Sequence, residues 1–171
     1  MTTDLRSIQR PIKERYRNDP GTAKITLRAS GAEGEAPIAC SVEVGRAIHE
    51  AQAHEGAGGA GTGACSGDLL LGALAACAQI TCQMVASAMG IDVVGIRVEV
   101  EGDLDMRGTL GVSKEVPVGF QEIRLDINID APSATAEEID SLREKTHRYC
   151  VVFQTLKDPP SIGVTWGNSG S

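Results

Sequence analysis

Three of the chain's five cysteines, Cys65, Cys77 and Cys82, fall in one apolar stretch, with Cys40 before it and Cys150 after it. Thiols can ligate metals, attack as nucleophiles or cycle between redox states. If the stretch is helical, Cys77 and Cys82 differ by about 140° around the axis and about 7.5 Å along it, outside disulfide reach. Cys65 lies about three turns from Cys77. A partner for Cys77 must come from elsewhere in the chain, and Cys150, where one helix yields to a bent apolar turn, is the obvious one. Cys40 alternates with Ile38 and Val42 on an apolar face, where a cysteine acts as a small hydrophobe. No C-x-x-C or H-x-x-H pair gathers His49, His54 and Cys65 into a metal site, and no metal is expected. The run from Gly63 to Gly67 has the form of a cysteine nucleophile elbow, with Asp126 and His147 in hydrolase order, but an elbow needs a strand before it and a glycine loop stands there. Gly56-Ala-Gly-Gly-Ala-Gly61 has dinucleotide spacing, yet the helix opens later and no acidic residue follows about 20 positions on, so no nucleotide cofactor is expected.

The element that must carry Cys77 is a helix of roughly 22 residues starting near Ser66, the expected N-cap, with Asp68 in its first turn and Gly90 in place to end it. It has no charge between Asp68 and Asp92, and a helix apolar on every side is a buried one. The 171 residues, 42% hydrophobic, suit a single domain over 21–167, with a frayed tail at 168–171. A formal net charge of −7 argues against nucleic acid or an acidic membrane as partner. Residues 1–20 reverse this locally with Arg6, Arg10, Lys13, Arg15 and Arg17, and read as a solvated basic arm. No apolar leader follows the first methionine and no run reaches the roughly 18 apolar residues of a membrane span, so a soluble, cytoplasmic protein is expected. An odd cysteine count in a chain of this size argues against a disulfide framework.

Around that helix the class is α+β. Residues 22–29 and 38–44 alternate as half-buried strands and should form a hairpin about the turn at 30–35, with 46–50 continuing the sheet. A glycine-dense loop at 53–63, of the kind that makes close backbone approaches, leads into the helix. Strands are expected at 93–100 and 120–129, antiparallel, with a polar connection at 102–119. Thr135-Ala-Glu-Glu138 is a capping box that opens a helix ending near Tyr149 and Cys150. Residues 151–156 read as an apolar turn and 161–166 as a last strand.

The segments Cys65-Ser-Gly-Asp-Leu-Leu-Leu-Gly-Ala-Leu-Ala-Ala-Cys77, Gly90-Ile-Asp, Glu101-Gly-Asp-Leu-Asp-Met-Arg-Gly-Thr-Leu-Gly, Pro117-Val-Gly-Phe and Arg148-Tyr-Cys150-Val-Val-Phe-Gln-Thr-Leu resemble, in that order, the OsmC/Ohr family of organic hydroperoxide reductases. The resemblance runs from about residue 22 to 166. It implies an OsmC-like fold, with antiparallel sheets wrapped around a long central helix in an intertwined homodimer whose sites lie at the subunit boundary. It implies that Cys77 attacks the peroxide and Cys150 resolves it as a disulfide, which a dithiol of the lipoyl type then reopens. The family's glutamate ten positions before the attacking cysteine corresponds to Gly67 followed by Asp68, so Asp68 is the candidate acid. Its activating arginine is assigned to Arg46, just before the glycine loop, with Arg28 as runner-up. An apolar pocket of Leu70, Leu74, Met84 and Phe153 would suit bulky hydroperoxides. The alternative is a non-enzymatic, dimeric OsmC-like protein that binds a small apolar or thiol-bearing ligand.

Overall fold

A computed structural model describes residues 5–33, 39–44 and 47–167. Its axis is the cysteine-bearing helix, α2, Ser66–Met89, 24 residues or about 36 Å long. Gly90 ends it at φ 77, the left-handed conformation that glycine adopts without a steric penalty. The N-cap is Cys65 and not Ser66: a bridge to Gln52, whose N–H donates to Ala64 O at 3.0 Å, holds Cys65 extended, and its own N–H donates to Asp68 Oδ2 at 2.8 Å.

One side of α2 is covered by a two-stranded antiparallel sheet, β4 Gly95–Asp103 and β5 Glu122–Asp130, paired in register from Gly95↔Asp130 to Asp103↔Glu122. Its inner residues, among them Ile96, Val98, Val100, Ile123, Leu125 and Ile127, pack on the core. Its outer face carries ion pairs of Arg97 with Glu99 and of Arg124 with Glu101, Asp103 and Glu122. Gly102 is required where β4 ends, since a Cβ there would sit 2.6 Å from the Phe120 ring folded over it. The expected polar connection gives up its first residues to β4 and then forms one helical turn, α3, Met106–Thr109.

Another side is covered by α4, Ala136–Tyr149, opened by the capping box read from the sequence: Glu138 N–H donates to Thr135 Oγ1 at 3.2 Å and Thr135 N–H to Glu138 Oε2 at 2.8 Å. Leu142 and Thr146 of α4 are fully buried. Residues expected as an apolar turn are instead a second helix, α5, Val151–Lys157, because no glycine or proline interrupts the chain before Pro159. The core has two centres along α2, one around Cys82, Val85, Ala86 and Leu142 and one around Leu74, Ala78 and Cys150.

The amino-terminal part departs more from expectation. The basic arm is a helix, α1, Leu5–Asn18, with none of its residues buried. The hairpin forms, but its first strand is β1, Ala29–Glu33, pairing antiparallel with β2, Ala39–Val44, while Ile25 and Leu27 are left exposed ahead of it. β3, Ala47–Gln52, continues the sheet, in which Ala51 is the one buried residue among those described. The glycine loop does make its close approach: a Cβ on Gly59 would fall 1.7 Å from Ala53 O. Residues 161–166 form no strand, and Ile162, Val164 and Trp166 stand exposed on an irregular segment that pairs with no strand among the described residues.

Within one chain α2 is far from fully covered. Only Leu74, Ala78, Thr81, Cys82, Val85 and Ala86 are buried. By length and composition α2 could cross a membrane, which corrects the expectation drawn from the sequence: Gln79, Thr81 and Gln83 interrupt the apolar run without bringing charge. Its contacts with β4, β5 and α4 are those of a core helix. Leu142→Ala should lower the free energy of unfolding by about 2–5 kcal/mol, the cost of a cavity in a close-packed interior. A urea titration checks it, and a loss within 1 kcal/mol would mean that α4 does not pack on α2 in this way.

Candidate active site

Cys150 is at once the last residue associated with α4 and the residue before α5, with ψ of 107 that breaks the helix. Its N–H still donates to Thr146 O at 3.0 Å and its carbonyl accepts from Gln154 N–H at 2.9 Å, so the chain turns sharply while both helices stay hydrogen-bonded. Two further contacts brace this elbow. The His147 and Phe153 rings stack with centroids 5.1 Å apart, and Gln154 Nε2 donates to His147 O at 2.7 Å. The elbow therefore aims the first amides of α5, whose N–H groups have no partner inside their own helix, at the middle of α2.

Cys77 is what they meet. Burial raises the cost of charging its thiol, but N–H of Val152, the Cys150 thiol, the Thr81 hydroxyl and N–H of Val151 all stabilise the thiolate, and together they hold its pKa below the ordinary cysteine value. Thr81 Oγ1 is 4.0 Å from Cys77 Sγ, one helical turn on. For Cys150 the balance is opposite: burial pushes its thiol up, N–H of Phe153 offsets part of this, and the neighbouring Cys77 pushes it up further. Both thiols are free, Cys150 is 1% exposed and Cys77 is half-buried, so the more acidic sulfur is also the more accessible. Cys82, fully buried with Thr146 beside it, has its thiol pushed up by burial, as befits packing and not chemistry.

The remaining predicted residues stand elsewhere. Asp68 is in the first turn of α2, about 13.5 Å along the axis from Cys77. There its carboxyl is held below the usual range by the Cys65 N–H and thiol. With His54, Cys65, Leu71, Met106 and Phe120 it lines a separate cleft of about 350 Å³, in which a Cβ on Gly67 would lie 3.3 Å from Phe120 Cζ. Arg46 lies outside the described residues, and Arg28 is exposed ahead of β1. No arginine is among the described groups that favour the Cys77 thiolate. Of the expected pocket, Leu74 and Phe153 pack around Cys150, whereas Leu70 and Met84 are exposed. The sequence reading missed the amides of Val151 and Val152 and the Thr81 hydroxyl. Only Thr81, four residues after Cys77 and so on the same helix face, left a readable signal.

An α+β chain with two free thiols packed in one core cluster, one on a central helix and one at a helix elbow, belongs to a recognisable class. The sequence model of the OsmC family, described as OsmC-like protein, matches residues 58–165, and the chain belongs to that family. No curated protein matches it. The fold is similar to that of the OsmC like protein from Mycoplasma pneumoniae (TM-score 0.65, 19% identity, covering 80% of this chain and 90% of that one). It is also similar to an organic hydroperoxide resistance protein from Elizabethkingia anophelis (0.62, 22%, 80% and 91%) and to an OsmC-like protein of unknown function from Vibrio cholerae (0.59, 12%, 77% and 94%).

The thiol environments make a kinetic prediction. At neutral pH iodoacetamide should alkylate Cys77 ahead of Cys82 and Cys150, and the rate at Cys77 should rise with pH through a midpoint below that of a free cysteine, since only the thiolate reacts. Peptide mapping of a time course reads this directly. A midpoint at or above the free-cysteine value would remove the thiolate assignment.

Proposed function

We propose that this protein is a thiol-dependent peroxidase that reduces organic hydroperoxides. The observation that carries the reading is the packing of a half-buried Cys77, whose thiol is acidified, against the cluster of the buried Cys150, whose thiol is pushed up. Cys77 thiolate attacks the terminal peroxide oxygen, forming S–O and breaking O–O; the departing alkoxide takes a proton and leaves as an alcohol. The sulfur, oxidised by two electrons, is now a sulfenic acid. The Cys150 sulfur then attacks it, S–S forms, S–O breaks, and the hydroxyl leaves as water with the Cys150 proton. A dithiol of the lipoyl type returns both cysteines to thiols and becomes a disulfide itself. The unlike thiol pKa values fit this division of labour, because the first step needs a thiolate on the accessible sulfur, and in the second the Cys150 proton goes to the departing hydroxyl. In this chain the backbone amides of α5 supply the stabilisation of negative charge, with Arg46 as the candidate side chain to add to it.

The two thiols separate by mutation. Cys77→Ser should consume no cumene hydroperoxide even in a single turnover, whereas Cys150→Ser should consume about one equivalent and accumulate Cys77 sulfenic acid that a dimedone label traps. Multiple turnovers by Cys77→Ser with a dithiol present would end the proposal. The absence of any turnover by the wild type would leave the alternative, a small-ligand-binding protein.

The quaternary part of the proposal is an obligate homodimer. Gly72, Ala73, Ala76 and Ile80 form a charge-free exposed stripe on α2, and Ile25, Leu27, Ile162, Val164 and Trp166 are exposed on irregular segments. Exposed apolar surface of this kind marks an interface, and a second copy brings matching surface of its own. The apparent melting temperature should rise with protein concentration, as coupled folding and association require. Sedimentation that finds a folded monomer at low micromolar concentration would sink this part.

A further inference from the structure

Helix α1 lies outside the residues matched to the family, yet it is fastened to the rest of the chain. Arg6 donates from Nε to Ser87 O at 3.1 Å and from its terminal nitrogen to Ala88 O at 2.7 Å, at the end of α2 where the helix dipole favours a cation. This clasp sets α1 beside the end of α4: Lys13 from the one and Lys145 and Tyr149 from the other border the same cleft on α2. Tyr149 also borders a second cleft, at the elbow, with Arg148, Cys150 and Val151. One continuous face therefore runs from α1 across the end of α4 to the start of α5, with both thiols beside it. Cys150 lines the second cleft, and Thr81, which lines the first, has its Oγ1 4.0 Å from Cys77 Sγ.

The charge on this face opposes that of the rest of the chain. Residues 5–18 hold five cations and one acid, Glu14, and residues 145–157 hold three cations and no acid. Eight of the chain's 16 Lys and Arg thus fall in two stretches that carry one of its 23 Asp and Glu. Among the described residues the ion-paired cations are Arg97, Arg107, Arg124 and Arg143, all outside these stretches. Both of the chain's tyrosines are on the face, each under a guanidinium: Arg15 Cζ is 5.3 Å from the Tyr16 ring centre and Arg148 Cζ 5.6 Å from that of Tyr149.

We propose that this face docks an acidic protein that delivers the reducing dithiol on an extended arm. Arg and Tyr are the residues that protein–protein interfaces favour, whereas a membrane surface asks for a broad apolar face that a 14-residue helix interrupted by Pro11 lacks. Complementary charge speeds encounter more than it tightens the complex, which suits a partner that must arrive, react and leave. The arm follows from burial: Cys150 is 1% exposed, out of reach of a dithiol fixed in another protein's surface. In the exchange two electrons and two protons pass from the dithiol to the Cys77–Cys150 disulfide, leaving two thiols here and a disulfide on the partner. The delivery clause rests on the peroxidase reading; the docking clause does not.

Two measurements on the full chain test it. Fluorescein-labelled poly-L-glutamate, standing in for the acidic partner, should bind and should weaken at least about tenfold as ionic strength rises from about 0.01 M to about 0.1 M, where the screening length falls from about 30 to about 10 Å. Arg10→Gln with Arg17→Gln, and Lys145→Gln with Arg148→Gln, should each weaken it about fivefold. No binding at low ionic strength, or binding that survives all four substitutions, overturns the docking clause. So does tighter binding to phosphatidylserine vesicles or to duplex DNA, which would assign the face to a membrane or a nucleic acid. In cumene hydroperoxide turnover the four substitutions should slow reduction by a reduced, acidic lipoyl domain at least about tenfold and leave reduction by free dihydrolipoamide unchanged. A domain-driven rate that does not change, or two rates that fall together, overturns the delivery clause. Poly-L-glutamate binding without turnover by either reductant would sink only the peroxidase reading and the delivery that rests on it.

Discussion

A long helix without charge in its interior must be covered, and the rest of the chain is arranged to cover it. Strands β4 and β5 bury one side of α2 and α4 with α5 another, and Cys77 sits where the second covering begins. At roughly 25 cal/mol for each Å² of apolar surface removed from water, such covering dominates the stability of a domain this size. It also fixes where chemistry can occur. A thiol on a fully buried part of α2 is inert, as at Cys82; one on a bare part would have no prepared surroundings. Cys77 lies at the boundary, half-buried, with polar groups brought to it by the covering element itself.

The electrostatics of that boundary do not depend on a side-chain cation among the described residues. Burial opposes the Cys77 thiolate, and what overcomes it is a set of dipoles: two amides at the start of α5, a hydroxyl and a neighbouring thiol. Amides held by an elbow are fixed in place before any charge appears, so they stabilise it without having to reorganise. The bracing of that elbow by His147, Phe153 and Gln154 therefore fixes the amides that face the sulfur, although none of the three is itself among the groups that hold it.

The parts of this arrangement legible in the sequence are those encoded by local pattern. Gly90, the Thr135 capping box and the alternation along β5 announce themselves within a few residues, and helix arithmetic isolates Cys77 from Cys65 and Cys82. What was not legible depends on partners distant in sequence or outside the chain. Val151 to Lys157 is rich in β-branched and aromatic residues, which are weak helix formers, and the packing of Val152 and Phe153 on the core supports the helix that the uninterrupted chain allows. Residues 161–166 alternate as a strand should, but a strand needs another strand beside it. In α1 the spacing of Leu5, Ile8 and Ile12 was helical all along; the density of arginine concealed it. The stabilising amides of Val151 and Val152 could not be read from side-chain identities, because they are backbone.

Cys77 and Cys150 are 150 − 77 = 73 positions apart in the chain and in contact in the fold. A bond between them would close a loop large enough to remove conformational freedom worth about 4 kcal/mol from the unfolded chain. Redox state and folding are then two sides of one thermodynamic cycle: whatever the fold contributes to forming the bond by holding two sulfurs together, the bond returns to the fold as resistance to unfolding. With that bond formed the oxidised chain would be the sturdier of the two, and the moment of greatest oxidant load would coincide with the moment at which the protein is hardest to unfold.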